Sequence, residues 1–138
     1  MKLAPPALKK LERAARTAAA RAYAPYSQFA VGAAILAGSG KIFDGVNVEN
    51  ASYGLCNCAE RTAVFSAIAA GERVLRCVVV YTPTRQPTSP CGACRQVINE
   101  FGPKIPVIAI CDTEERLETT ADALLPGAFG PHNLQEGF

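Results

Sequence analysis

The sequence predicts a mixed α/β fold, with a sheet of about five strands and helices on both faces. Three observations point there. Two apolar runs without alternation, centred on Cys77-Val78-Val79-Val80 and on Val107-Ile108-Ala109, read as central strands buried on both faces. Helical segments alternate with strands from Lys41 onward, which predicts parallel strands joined by right-handed helical crossovers. The turn Gly38-Ser39-Gly40 joins two early strand-like runs into a hairpin and makes the sheet mixed.

The elements follow in order. Leu8, Leu11, Ala15, Ala18 and Ala22 recur at helical spacing, with Lys9, Lys10, Arg13 and Arg16 on other faces. An amphipathic helix is expected from Pro6 to Tyr23, ended by Pro25, which disfavours helix at the residue before it. Val31 to Ala37 and Lys41 to Val48 are the hairpin strands. Cys58 to Ala70 reads as a helix stopped by Gly71. Val74 to Tyr81 is a buried strand, and Thr82 to Ser89, with Pro83 and Pro87, is a loop. A helix is expected from Pro90 to Phe101, because proline suits the first helical position. Ile105 to Cys111 is a further buried strand. A short strand near Leu117 and a helix from Ala121 to Leu125 complete the order.

A chain of 138 residues suits one domain, spanning 1–138. Hydrophobic residues make up 49% and charged residues 19%, a composition for a packed core and not for disorder. A net charge of +2 gives no sign of nucleic-acid or membrane binding. No apolar run approaches the roughly 20 residues of a bilayer span. The N-terminal residues show no secretory apolar segment. The six cysteines are therefore expected as reduced thiols in the cytoplasm, serving core, catalysis or metal.

The chemistry concentrates in Cys56-Asn57-Cys58-Ala59-Glu60-Arg61 and Pro90-Cys91-Gly92-Ala93-Cys94-Arg95. A C-x-x-C pair at a helix start lets both sulfurs reach one ion, and helix N-termini favour thiolates. Cys58 opens the preceding helix. Two crossover helices starting at the same edge of the sheet would bring Cys58, Cys91 and Cys94 together, where open α/β sheets hold their sites. Three sulfurs around Zn²⁺ leave a position for water, the arrangement of a catalytic zinc. Glu60 reaches that water without binding the metal and reads as a proton shuttle. Cys56 competes with Cys58 for the third place, and the C-x-E spacing favours Cys58. Cys77 and Cys111 lie inside apolar strands and read as buried small hydrophobes. A thioredoxin-like redox pair and a closed, non-catalytic zinc module are the alternatives. His132 follows Pro131 in a polar tail and reads as exposed, not as a ligand.

These residues resemble a family. The blocks A-P-Y-S-Q-F-A-V-G-A-A, N-V-E-N-A-S-Y, C-A-E-R-T-A, S-P-C-G-A-C-R-Q-V and L-L-P-G-A-F-G are similar to those of the small homotetrameric zinc-dependent cytidine deaminases. The C-x-E and P-C-x-x-C pair is the zinc-deaminase signature with cysteine in place of the usual histidine. The resemblance implies a three-layer α/β/α cytidine deaminase-like fold and hydrolysis of cytidine and 2′-deoxycytidine to the uridines, with loss of ammonia, in pyrimidine salvage. It implies Zn²⁺ on Cys58, Cys91 and Cys94, with Glu60 taking a proton from water and returning protons to N3 and the leaving amino group. Three thiolates leave a net negative centre, and Arg61 resembles the residue that offsets it. Asn47 and Glu49 alternate along the second strand and resemble ribose contacts. Phe29 resembles the ring against the pyrimidine, Ala59 offers backbone groups to the base, and Ser89 its carbonyl to the amino group. Tyr53 and Phe129 resemble residues that complete a neighbouring subunit's site in a homotetramer. A related deaminase acting on modified cytosine nucleosides is the nearest alternative.

Overall fold

The computed structural model describes residues 3–135. Its elements are α1 (Pro5–Ala19), β1 (Gly32–Ala37), β2 (Ile42–Val46), α2 (Ala59–Ala69), β3 (Leu75–Tyr81), α3 (Gly92–Glu100), β4 (Pro106–Ile110), β5 (Arg116–Thr120), α4 (Ala121–Leu124) and α5 (Pro131–Gln135). A one-turn 3-10 helix covers Tyr53–Leu55.

The five strands form one mixed sheet in the order β2-β1-β3-β4-β5. β1 runs antiparallel to β2 and to β3, and β3 pairs in parallel with β4. The strands β2, β3 and β4 therefore share a direction, as the alternating pattern predicts. β1 lies between β2 and β3, because the hairpin return occupies the ladder that a direct crossover pair would use. β5 closes the other edge, antiparallel to β4.

The non-alternating runs are explained by two cores. Ala34, Leu36, Cys77, Val79, Ile108 and Ile110 point to one face and meet Leu11 and Ala15 of α1. Ala33, Ile35, Val78, Val80, Val107 and Ala109 point to the other and meet α2 and α3. Period-2 alternation of side chains thus buries successive residues on opposite faces, and Cys77 to Val80 of β3 and Val107 to Ile110 of β4 are buried without a break. Two glycines set the helix-to-sheet distances. A Cβ on Gly32 would lie 2.0 Å from the Ala15 carbonyl oxygen of α1, and one on Gly45 would lie 2.4 Å from the Ala63 nitrogen of α2.

Three expected boundaries are corrected. The first helix ends at Ala19, not Tyr23, because Tyr23 leaves the helix to pair with the chain beyond β2. Its N–H donates to the Asn47 carbonyl at 3.0 Å, and its carbonyl accepts from the Glu49 N–H at 2.8 Å. The second strand ends at Val46, so Asn47 and Glu49 lie beyond it, where Val48 bridges Asn57. Pro90 is not the first helical residue. Cys91 caps α3, and Pro90 is buried one position earlier. The short α5 stands where the sequence predicts a polar tail. With 5 residues it carries too little periodic signal to be seen.

Candidate active site

Both helices that follow the parallel strands begin with a cysteine. Cys58 is the N-cap of α2 and Cys91 the N-cap of α3. Neither thiol makes a capping hydrogen bond to the backbone of its own helix, and the two face each other. The Cys58 and Cys91 sulfurs are 3.7 Å apart, and Cys91 and Cys94 are 3.5 Å apart. All three sulfurs lie within 4.8 Å of one another. Zn–S bonds of about 2.3 Å in a tetrahedron require sulfurs about 3.8 Å apart, so this donor set fits zinc.

Cys56 stands apart from the cluster. Its sulfur accepts from the Asn50 N–H at 3.3 Å and lies 3.7 Å from the Asn50 carbonyl. Cys77 and Cys111 are fully buried in β3 and just past β4. Burial pushes the Cys77 thiol up to about 12, which leaves it inert. His132 is exposed in α5.

Charge at the cluster is strongly arranged. Hydrogen bonding from the Cys94 thiol, with help from Arg61, holds the Cys58 thiol far below its ordinary value, and Cys94 rises correspondingly as the donor. Arg61 Nη2 donates to the Cys58 sulfur at 3.3 Å. Glu60 is only 5% exposed, in the first turn of α2. Its burial, reinforced by the Cys58 charge, raises its carboxyl to about 7, with Arg61 opposing. Desolvation dominates, as expected for a carboxyl in an apolar wall.

A cavity of about 210 Å³ opens beside these groups. Glu60, Cys58 and Cys91 line it with Phe29, Asn47 and Ala59. The lining also includes Thr82, Thr88 and Ser89. Thr82 and Thr88 are the polar lining residues that sequence reasoning missed, with Val31 and Val80 as apolar ones. Thr82 follows directly on β3, at the carboxyl end of a buried strand, and that position is the signal that could have found it. Gln28, just before Phe29, has φ 60, in the left-handed region unusual for a side-chain-bearing residue.

The remaining expected contacts are Asn47, Glu49, Tyr53 and Phe129. Asn47 lines the cavity, but its amide is engaged: Oδ1 accepts from the Val31 N–H at 2.9 Å and Nδ2 donates to the Phe29 carbonyl at 2.7 Å. Glu49 accepts from the Tyr26 and Ser27 N–H groups at 3.0 and 3.1 Å and from the Ser27 hydroxyl. These bonds, the Ser27 hydroxyl foremost, hold its carboxyl below the usual range. Together the two residues fasten the segment that carries Phe29. Tyr53 and Phe129 are outside this cavity's lining and are 74% and 57% exposed. Tyr53 stacks edge-on against Tyr26, with ring centroids 6.0 Å apart. Gln96 of α3 donates to the Phe129 carbonyl at 2.8 Å.

Comparison with known proteins agrees with this geometry. Residues 6–110 match the family model described as the cytidine and deoxycytidylate deaminase zinc-binding region. The chain is 47% identical over 128 residues to a cytidine deaminase of Sporosarcina psychrophila, covering 92% of this chain and 94% of that one. It is 46% identical over 116 residues to a cytidine deaminase of Halalkalibacterium halodurans, covering 83% of this chain and 88% of that one. The crystal structure of cytidine deaminase from Burkholderia pseudomallei superposes with a TM-score of 0.85 at 52% identity, over 88% of this chain and 98% of that chain. The three-sulfur cluster, the buried glutamate beside it and these matches lead to one conclusion: the chain belongs to the cytidine and deoxycytidylate deaminase zinc-binding family.

Proposed function

We propose that this chain, as one domain, hydrolytically deaminates cytidine and 2′-deoxycytidine to uridine and 2′-deoxyuridine, releasing ammonia in pyrimidine salvage. The observation that carries this reading is the buried Glu60 carboxyl beside Cys58, Cys91 and Cys94 at the wall of one small cavity. Cys58, Cys91 and Cys94 would hold zinc, which would supply a bound water of near-neutral pKa as the nucleophile for C4 of the base. Glu60 takes one proton from the water and gives it to N3, then takes the proton of the new C4 hydroxyl and gives it to the departing amino nitrogen. One carboxyl therefore acts as base and acid in turn. Water and cytidine are consumed, and uridine and ammonia leave.

Arg61 supports the metal's charge by donating to the Cys58 sulfur. Phe29 presents a ring to the base from the cavity wall, and Ala59 lies in the wall beside it. Asn47 retains one amide hydrogen, and the Glu49 carboxylate retains acceptor capacity beyond its three bonds, so both remain available to ribose hydroxyls. Tyr53, Leu55 and Phe129 leave large apolar side chains in solvent. Such exposure fits a surface that further copies cover, in a homotetramer whose neighbours complete each site. Six free cysteines fit the reducing cytoplasm. Among the described residues no helix is long and apolar enough to cross a membrane.

The test is ammonia release by the zinc-loaded protein from cytidine, with 2′-deoxycytidine and cytosine in parallel. Both nucleosides should react. Glu60→Gln should keep zinc and fold while losing at least about 100-fold in turnover, the scale of general acid–base catalysis. No ammonia from wild type, or near-normal turnover in Glu60→Gln, defeats the reading.

A further inference from the structure

We propose that Arg95 is a positioning residue that aims the Ser89 carbonyl at the 4-amino group of a cytosine base. The proposal rests on the deaminase reading above. The Arg95 guanidinium makes three hydrogen bonds. Nε donates to the Pro90 carbonyl at 2.7 Å, Nη2 to the Ser89 hydroxyl at 2.8 Å and Nη1 to the Leu124 carbonyl at 3.0 Å. Its own N–H donates to the Cys91 carbonyl at 3.0 Å. One residue therefore grips positions 89, 90 and 91 in succession and ties them to the end of α4.

The peptide unit between Ser89 and Pro90 sits between two of these anchors. Pro90 is fully buried, and Ser89 lines the site cavity beside Cys91 and Glu60. The Ser89 hydroxyl is committed to Arg95. Its carbonyl has no hydrogen-bond partner among the described residues. Ser89 is a half-buried lining residue, and a carbonyl with no protein partner is open to a ligand with a hydrogen to give. The amino group of cytosine has one. The other end of this wall is fixed separately. Thr82, buried after β3, bonds the Thr84 hydroxyl at 2.7 Å and donates to the Thr88 hydroxyl at 3.3 Å. Among the described residues Arg95 alone hydrogen-bonds the Ser89 side chain and the Pro90 carbonyl, and a lysine cannot reproduce its planar fork of donors.

Substrate and product separate this role from a general structural one. Cytidine donates from its 4-amino group, whereas uridine carries a 4-carbonyl and has nothing to donate there. The experiment measures cytidine kinetics and competitive inhibition by uridine for Arg95→Met, Arg95→Lys and Ser89→Ala, with zinc content determined for each. In Arg95→Met, kcat/KM for cytidine should fall about tenfold or more, the loss of one well-placed hydrogen bond. The uridine inhibition constant should stay within about twofold, and zinc should remain bound. Arg95→Lys should lie between Arg95→Met and wild type. Ser89→Ala should show the same selectivity at smaller size, and it decides the matter if Arg95→Met does not fold. Equal losses for cytidine and uridine, or unchanged cytidine kinetics, overturn the proposal. A zinc-loaded wild type that leaves cytidine untouched defeats the deaminase reading itself, a distinct result.

Discussion

Gly45→Ala tests how tightly the sheet sets the position of the site. Gly45 lies on β2 beneath α2, and a Cβ there would stand 2.4 Å from the Ala63 nitrogen, 2.6 Å from the Ala59 oxygen and 2.9 Å from the Ala63 Cα. All three are backbone atoms of the helix, so no side chain can swing aside. Ordinary contact begins at 3.4 Å, and α2 must therefore retreat by about 1 Å. That helix carries Cys58 at its cap and Glu60 and Arg61 in its first turn. Overpacking by one methyl costs about 1–3 kcal/mol, or roughly 4–12 °C in melting temperature for a chain of this size. A 1 Å displacement of a reacting group costs about 100-fold in rate. Melting of the zinc-loaded protein, together with kcat/KM on cytidine, reads both. Gly32→Ala is the control: its Cβ meets the Ala15 carbonyl oxygen of α1 at 2.0 Å, on the sheet face away from the site. It should lower the melting temperature while the folded fraction keeps its activity. Wild-type melting and kinetics in Gly45→Ala would refute the reasoning, because they would show slack between β2 and α2.

Metal analysis of Cys58→Ala and Cys56→Ala should show zinc lost only in the former; loss in both would sink the assignment of Cys56 to Asn50. Sedimentation should find an assembly near four chains, and Phe129→Ala should raise KM for cytidine by about tenfold, an anchor-sized loss; a fully active monomer would refute shared sites. Asp122 has its carboxyl lowered from 3.8 to about 2, first by Lys104 at 2.7 Å and then by Thr120. A depressed folded-state pKa stabilises fully above 3.8 and loses that contribution as pH falls to about 2. The stability gap between wild type and Asp122→Asn should therefore close across that window in acid melts, and a constant gap would contradict the pairing.

The strands and long helices were legible because each buries a continuous pattern. Val78-Val79-Val80 announces a two-sided strand, and both cores use it. The ends were less legible. Leu11, Ala15 and Ala18 continue in period to Ala22, and nothing local says that Tyr23 will be drawn away by Asn47 and Glu49. The same partnership moved Asn47 and Glu49 off the strand. Their polar character was read correctly from the sequence, but their work in holding Phe29, Val31 and Ser27 depends on segments about 16 to 22 residues away.

The sequence by itself determined the inventory of the site: three thiols, one glutamate and one arginine at helix starts, in spacings that suit a zinc ion and an acid–base group. Local chemistry suffices for that, because a helix cap and its first turn fix where neighbouring side chains project. Only the tertiary structure decided between Cys56 and Cys58. One residue of sequence separates them, yet the Cys56 sulfur meets Asn50 and the Cys58 sulfur meets Cys91, 33 residues away. The same is true of Arg95. Its grip on Ser89, Pro90 and Leu124 requires loop, helix and distant turn to meet, and no local pattern encodes that meeting.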